Sequence, residues 1–206
     1  LLQTNVDDNS LTLLRSEFVG ASVGEELRDQ GGIAMLVALF VVMAYVTFRF
    51  QWKFSVGAVM ALFHDVLIII GMFALFQWEF DLNVLAALLA VIGYSLNDTI
   101  VVFDRIRENF RKVRRAAPVE VINISLTETL GRTLVTSLTT MLVLMALALF
   151  GGEMINAFAI ALLVGVFIGT YSSIYVAANA LLLMGVSKED LMIPVKEGAE
   201  QEDLMP

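Results

Sequence analysis

Five stretches of the chain consist almost entirely of apolar residues, and each is about as long as a membrane-spanning helix. A helix of about 20 residues crosses a hydrocarbon core of roughly 30 Å. Polar residues inside these stretches are few, and the apolar sequence continues on both sides of them. We therefore predict five spanning helices, at about residues 32–50, 54–76, 82–103, 133–151 and 156–184.

Composition favours an integral membrane protein of the all-α polytopic class. Hydrophobic residues make up 58% of the chain, charged residues 17%, and the mean hydropathy is +0.81. The net charge of -8 arises from acids gathered near both ends, so it indicates solvated tails and no nucleic-acid partner. The chain has no cysteine, which excludes disulfides and thiolate metal sites. We predict a lipid environment, with no cofactor, metal or catalytic residue.

Lys and Arg are distributed unevenly between the predicted spans, and the cytoplasmic side of a membrane protein collects them. If the spans alternate in direction, most of these cations share one side: Arg49, Lys53, Arg105, Arg107, Arg111, Lys112, Arg114, Arg115, Arg132, Lys188 and Lys196. The loops at 77–81 and 151–156 contain none. We therefore predict that the N-terminal segment is outside and the C-terminal tail is inside.

The segment before the first span has the pattern of a strand followed by a short helix. The strand, SLTLLRSEFVG (Ser10–Gly20), cannot form a sheet alone. We therefore expect partner strands, and one further span, upstream of Leu1. The predicted domains are 1–30, the end of an extramembrane domain; 31–185, the transmembrane domain, in which the loop 104–132 forms one or two helices at the membrane surface; and 186–206, a cytoplasmic tail.

Ionisable side chains inside spans are candidates for function, because a central charge costs about 3 kcal/mol on insertion scales. Asp98 lies about 7.5 Å before the end of the third predicted span. Ser95 lies on roughly the same helical face, and Asn97 and Thr99 are adjacent, so all three are supporting candidates. The pair His64-Asp65, at the middle of the second span, is compatible with a structural hydrogen bond or with a proton relay.

Arg132 opens the fourth span and is the cation best placed to approach Asp98 from another helix. Its long side chain could reach inward, or it could extend to the lipid headgroups. Further along this span four hydroxyl residues share a face: Thr133, Thr136, Ser137 and Thr140. These hydroxyls could bond across helices, line a hydrated path or bond back to their own helix. These alternatives stay open for each of these residues.

Small residues recur at every fourth position of the last span. Such a row lets another helix approach closely. Gly165, Gly169 and Ser173 are the predicted centre of this packing surface.

Two runs of the sequence resemble the SecF branch of the SecD/SecF family of protein-export membrane proteins. They are VIGYSLNDTIVVFDRIRENFRKVRR (Val91–Arg115) and ETLGRTLVTSLTT (Glu128–Thr140). EFVGASVGEEL, LFHDVLIIIG, FGGEMINAF and IGTYSSIYVA extend the resemblance to nearly the whole chain. The run NDTIVVFDRIREN is too long and irregular for a chance similarity.

The resemblance implies a larger architecture and a set of partners. Such proteins form a six-helix half of the resistance-nodulation-division type, with an α+β periplasmic domain after the first helix. This chain would then be N-terminally truncated, with five of the six helices. The implied location is the bacterial inner membrane, and the implied partners are SecD, the SecYEG translocon, YajC, YidC and the unfolded polypeptide in transit.

The resemblance also implies a mechanism, in which SecD and SecF use the proton-motive force to promote protein export. The aspartate of the family's NDT run and the arginine of its (G/H)RT run are Asp98 and Arg132 here. Together with an aspartate from SecD, they would translocate protons. We therefore expect Asp98 to be reversibly protonated and Arg132 to influence its protonation.

Other classes of protein share parts of this pattern. Half of a proton-driven small-molecule or lipid exporter of the same superfamily would have the same membrane architecture, although the basic run DRIRENFRKVRR favours protein export. An intramembrane hydrolase is disfavoured, because the single histidine, His64, lies on a different span from Ser95. A passive structural subunit is the third alternative.

Overall fold

The computed structural model describes residues 21–113 and 116–187, and the side chains of these ranges from residue 29 onward. All regular structure within those ranges is helical: α1 (Ala21–Arg49), α2 (Trp52–Phe76), α3 (Leu82–Lys112), α4 (Pro118–Phe150), α5 (Glu153–Tyr171), a π-helical turn (Ser172–Val176) and α6 (Ala177–Leu183). The predicted strand at Ser10–Gly20 and the tail after residue 187 lie outside the described residues.

Five helices of the described part are long and apolar enough to cross a membrane. They run over Asp29–Arg49, Trp52–Phe76, Leu82–Lys112, Pro118–Phe150 and Glu153–Leu183. The prediction of an all-helical fold with five long apolar helices is thereby confirmed for the described residues. The last span is one continuous helix through the π-helical turn, which joins α5 to α6.

The segment predicted as a loop, 104–132, is mostly helical and continuous with the spans. α3 runs on to Lys112, and α4 already begins at Pro118, where proline suits the first helical position. The one or two helices expected here are thus the end of α3 and the beginning of α4, and their position at the membrane surface stays a prediction. Ile106 and Val121 are completely buried in one protein core, so the apolar side of this amphipathic stretch packs against neighbouring helices.

The helix ends that carry basic residues lie together, and we call this the basic end of the bundle. Arg49 at the end of α1 forms an ion pair with Asp104 of α3, at 3.5 Å between Nη2 and Oδ1. Lys53 donates a hydrogen bond to the Gly185 carbonyl after α6 at 3.1 Å. Beneath these contacts, Phe54 and Phe103 pack edge to face with ring centroids 5.2 Å apart. At the opposite end a second apolar core surrounds Ile69, Phe73, Val84 and Leu88.

α3 and α5 approach closely along the row of small residues. A Cβ atom on Gly165 would collide with the Val91 Cγ2 methyl group, and one on Gly169 would lie 3.1 Å from Ser95 Oγ. The π-helical turn follows on the same helix, and both Ser172 and Ser173 in it are fully buried. Close packing thus brings polar side chains of α5 and the π-helical turn against α3.

We expect Gly165→Ala to destabilise the bundle, because the new methyl group would force Val91 or the helix backbone to move. Overpacking of this kind costs about 1–3 kcal/mol. The measurement is the thermal midpoint of the purified protein in detergent. Gly93→Ala is the matched control, because a Cβ there meets no atom within 4 Å and alanine favours helix. An equal midpoint for both variants would contradict the close contact.

Candidate functional site

Polar side chains gather inside the bundle, where α3 meets α2, α4, α5 and the π-helical turn. We call them the interior polar cluster. All are buried, and they come from five different elements: Asp65, Ser95, Asp98, Thr99, Ser137, Thr170 and Ser173. In lipid such groups have no water to bond, so their partners must come from the protein. The cluster contains both carboxyl groups that the sequence indicates as functional candidates inside spans, those of Asp65 and Asp98.

Asp65 of α2 is bound tightly within the cluster. It is 1% exposed, and its Oδ2 accepts a hydrogen bond from Ser95 Oγ at 2.6 Å. Its Oδ1 lies 3.1 Å from Nδ1 of the partly exposed His64. The serine therefore bonds the carboxylate and not the imidazole. This order differs from the nucleophile, base and orienting acid of a hydrolase, so the contact does not favour the hydrolase alternative.

Ser173 connects the π-helical turn to α3. Its Oγ lies 3.0 Å from Thr99 Oγ1 and donates toward the carbonyls of Gly169 at 2.8 Å and Ser95 at 3.4 Å. Sequence reasoning assigned Ser173 to helix packing alone. In the structure its hydroxyl also satisfies Thr99, a residue predicted to support Asp98.

Asp98 of α3 is buried, 4% exposed, but loosely bound. Ser137 Oγ of α4 donates to Asp98 Oδ2 at 3.5 Å, longer than the usual O–H···O distance of about 2.5–3.0 Å, so this hydrogen bond is weak. Ser137 in turn accepts from Thr170 Oγ1 of α5 at 2.6 Å. Among the described residues this is the carboxyl group's one hydrogen bond. Asp98 therefore lies among hydroxyl groups without a fixed ionic partner.

Arg132 lies on the exposed side of α4, and it forms no ion pair with Asp98 within the described part of the chain. Arg132 precedes Ser137, the residue of α4 that bonds Asp98, by little more than one helical turn. The Arg132 side chain borders a cleft between α3 and α4 at the basic end. The structure thus does not join the two predicted site residues by a direct contact among the described residues.

Asn97 does not join the cluster. It is exposed on α3 and makes no hydrogen bond among the described residues, because successive helical residues point about 100° apart and Asp98 faces inward. In contrast, Ser137 and Thr170 belong to the site although the predicted site residues omit them. The hydroxyl stripe of α4 indicated Ser137, whereas Thr170 gave no signal beyond its place next to Gly169.

The described part of the chain contains no group of three or more His, Asp, Glu or Cys residues able to hold a metal ion. The carboxyl and hydroxyl groups of the interior polar cluster, and the imidazole beside Asp65, are groups that can exchange or relay protons.

Comparison with known proteins places these features in a family. Residues 2–187 match the family model described as protein export membrane protein SecD/SecF, C-terminal. The protein translocase subunits SecF of Vibrio alginolyticus and Escherichia coli O157:H7 are 55% and 52% identical over 95% and 93% of the chain. The chain spans about 62% and 60% of their lengths.

Solved structures agree with the sequence relatives. The crystal structure of SecDF, a translocon-associated membrane protein from Thermus thermophilus, matches 81% of the chain and 23% of its own length, with a TM-score of 0.76 at 48% identity. A second SecDF structure, in the super-membrane-facing form, gives a TM-score of 0.72 at 44% identity, over 81% of this chain and 22% of that one. These matches confirm the resemblance found in the sequence, and the chain belongs to the SecD/SecF family of protein-export membrane proteins.

Proposed function

We propose that the chain acts as a SecF-type subunit that uses the proton-motive force, together with SecD, to promote the export of unfolded polypeptide across the bacterial inner membrane. The family supplies the setting, since the relatives are named protein translocase subunits. The observation that carries the proposal is Asp98, a carboxyl group buried among hydroxyls of α4 and α5 in a membrane bundle. Buried ionisable groups in spans mark proton pathways.

SecD is the proposed direct partner. The Thermus thermophilus relative is a protein translocase subunit SecDF, 50% identical over 167 residues that make up 23% of its length. In that relative, the region similar to this chain is therefore part of one longer polypeptide named SecDF. This supports SecD as a partner that assembles with this chain. The SecYEG translocon, with YajC and YidC, would complete the assembly, and the chain would form most of a six-helix half of the resistance-nodulation-division type, below an α+β periplasmic domain.

The proposed orientation places the basic end in the cytoplasm and the N-terminus of α1 in the periplasm. The positive-inside rule supports it, because Arg49, Lys53, Arg105 and Lys112 lie at one end of the bundle while the connections at 77–81 and 151–152 contain no cation. Asp98 then lies nearer to the cytoplasmic side. A proton reaching it from the periplasm must leave through the basic end.

Arg132 would control when Asp98 holds its proton. Burial in a low dielectric favours the neutral form of a carboxylic acid, and a nearby cation favours the ionised form. A movement of α4 relative to α3 that changes the distance between the guanidinium and the carboxyl group would therefore load or release a proton. The single long contact to Ser137 leaves the Asp98 side chain free to follow such a movement.

Asp98→Asn tests the proton-carrying role. The amide is nearly isosteric and can still accept a hydrogen bond from Ser137, but it cannot exchange a proton at physiological pH. We expect stimulation of export by a proton gradient to fall to the level measured without one in membrane vesicles containing the full assembly. Asn97→Ala, on the exposed face of the same helix, should keep the full stimulation. Gradient-dependent stimulation that survives in Asp98→Asn would rule out the role.

A pair of substitutions at Arg132 separates an electrostatic role from simple anchoring in the headgroups. We expect Arg132→Met to reduce gradient-dependent export by about tenfold, which corresponds to about 1.4 kcal/mol of lost interaction, and Arg132→Lys to retain an intermediate rate because it keeps the charge. Rates and protein levels are compared in the same vesicles. If both variants were as active as the parent, Arg132 would be an anchor only.

The nature of the cargo can be tested by co-purification. We expect the full-length protein, solubilised mildly, to retain SecD and translocon subunits, because the proposed cargo emerges from that channel. The control is the same purification after SecD has been deleted from the cell. Retention of neither partner, combined with proton-driven efflux of a small molecule or lipid, would instead support the exporter alternative.

A further inference from the structure

In the described part of the chain, one buried hydroxyl group between Asp98 and the basic end has no hydrogen-bond partner. Thr133 of α4 is 1% exposed, and its Oγ1 makes no hydrogen bond among the described residues. Buried hydroxyls in helices normally bond a carbonyl one turn back, as Thr129 Oγ1 does to the Ser125 carbonyl at 3.0 Å. Unsatisfied buried polar atoms are rare and call for an explanation. The Thr133 hydroxyl is therefore available to bond another group.

The contacts between α3 and α4 fix where Thr133 lies. The antiparallel pair is joined by Tyr94 with Thr140, by Asp98 with Ser137 and by Asn109 with Ser125, at oxygen or nitrogen distances of 3.4, 3.5 and 3.0 Å. Thr133 is one helical turn from Ser137, about 6 Å along the axis, in the direction of the basic end. It thus occupies the level next to Asp98 on the same face of α4.

The next level is the cleft that opens at the basic end, which we call the basic-end cleft. Its volume is about 240 Å³. It is lined by residues of α3 and α4: Val101, Asp104, Arg105, Glu108, Glu128, Thr129 and Arg132. Thr129 is one turn before Thr133, and Val101 is one turn after Asp98. The cleft therefore extends to the helical turns next to Thr133 and Asp98. Along α4, Thr133 lies between the cleft residue Thr129 and Ser137, which bonds the Asp98 carboxyl group.

Glu128 is held at this cleft by two donors from α3. Asn109 Nδ2 donates to its Oε2 at 2.9 Å, and Arg105 Nε lies 3.4 Å from the same atom. The other cleft carboxylates have their own cations, since Glu108 pairs with Arg105 and Lys112 and Asp104 pairs with Arg49. The Glu128 side chain is 44% exposed. It is therefore a positioned carboxylate that bulk water can reach.

We propose that Asp98 exchanges its proton with the aqueous phase at the basic end through water hydrogen-bonded to Thr133 Oγ1, with Glu128 as the carboxylate that receives the proton in the cleft. The route rests on the proposed function. The proton leaves the Asp98 carboxyl group and is transferred through hydrogen-bonded water. The Thr133 hydroxyl positions this water, because it can donate one hydrogen bond to it and accept another from it. Glu128 takes up the proton and releases it to bulk water.

Thr133→Val tests the route, because valine has the shape of threonine without the hydroxyl. In the full-length protein with its partners in membrane vesicles, we expect gradient-dependent export to fall by about tenfold, as for the loss of one hydrogen bond in the transfer step. Thr133→Ser keeps the hydroxyl and should restore most of the rate. Thr139→Val is the matched control, since that exposed hydroxyl bonds the Val135 carbonyl of its own helix at 2.9 Å.

The stability of Thr133→Val distinguishes a role in proton exchange from a purely structural role. If Thr133 served only to stabilise the fold, the substitution would lower the thermal midpoint. Removing an unsatisfied buried hydroxyl should leave the thermal midpoint of Thr133→Val unchanged or raise it, because an unpaired polar atom is eliminated. A slow but equally stable variant therefore supports the route. A Thr133→Val protein with the full gradient-dependent rate would overturn it.

Glu128→Gln tests the cleft end of the route. The amide oxygen can still accept from Asn109, but the side chain no longer takes up a proton. We expect a several-fold slower gradient-dependent rate, whereas Glu120→Gln, in the exposed first turn of α4, should match the parent. Asp98→Asn is measured alongside: if it abolishes stimulation while Thr133→Val and Glu128→Gln do not, this route is wrong and the proposed function stands. If Asp98→Asn has no effect either, the proposed function itself is wrong.

Discussion

The structure depends on one constraint: lipid offers no hydrogen bonds, so each polar side chain within a span must find its partner on another helix or on its own backbone. α3 meets this constraint with a single face. Ser95, Asp98 and Thr99 lie three and four residues apart on it, and they bond Asp65 of α2, Ser137 of α4 and Ser173 of the π-helical turn. The same face that carries the candidate chemistry therefore also holds the neighbouring helices in place.

Close packing and polar bonding reinforce each other where α5 crosses α3. Gly169 leaves room for Ser95, whose hydroxyl would otherwise meet a Cβ at 3.1 Å and lose its approach to Asp65. The π-helical turn then adds a residue to the helical repeat, which is typical of functional sites. It directs Ser172 toward the Ala61 carbonyl of α2 and Ser173 toward α3. A regular helix would change the angle between these two hydroxyls.

Hydropathy predicts the spans well, because their length and composition follow from the thickness of the bilayer, and the insertion cost of a charge identifies Asp65 and Asp98 as candidates. Spacing along one helix does not reveal the rotation of its neighbours, so the contact of Ser137 with Asp98 and the unpaired Thr133 could not be predicted. The continuation of α3 to Lys112 and the start of α4 at Pro118 could not be predicted for a related reason. The apolar residues of these two helix ends alternate with charged residues, a pattern that is also typical of helices at a membrane surface. The sequence does not show that the two helix ends pack against each other.

The two interior carboxylates differ in how firmly the protein holds them. Asp65 receives a short hydrogen bond of 2.6 Å from Ser95 and lies 3.1 Å from His64, so a change in its charge would weaken the contact that joins α2 to α3. Among the described residues Asp98 has one hydrogen bond, at 3.5 Å from Ser137, and the hydroxyl of Thr133, one turn from Ser137 on α4, has none. A proton carrier must change charge repeatedly without disrupting the fold, and the cost of doing so rises with the number and strength of its hydrogen bonds. That difference favours Asp98 as the exchanging group and Asp65 as the fixed point against which α3 and α4 could move.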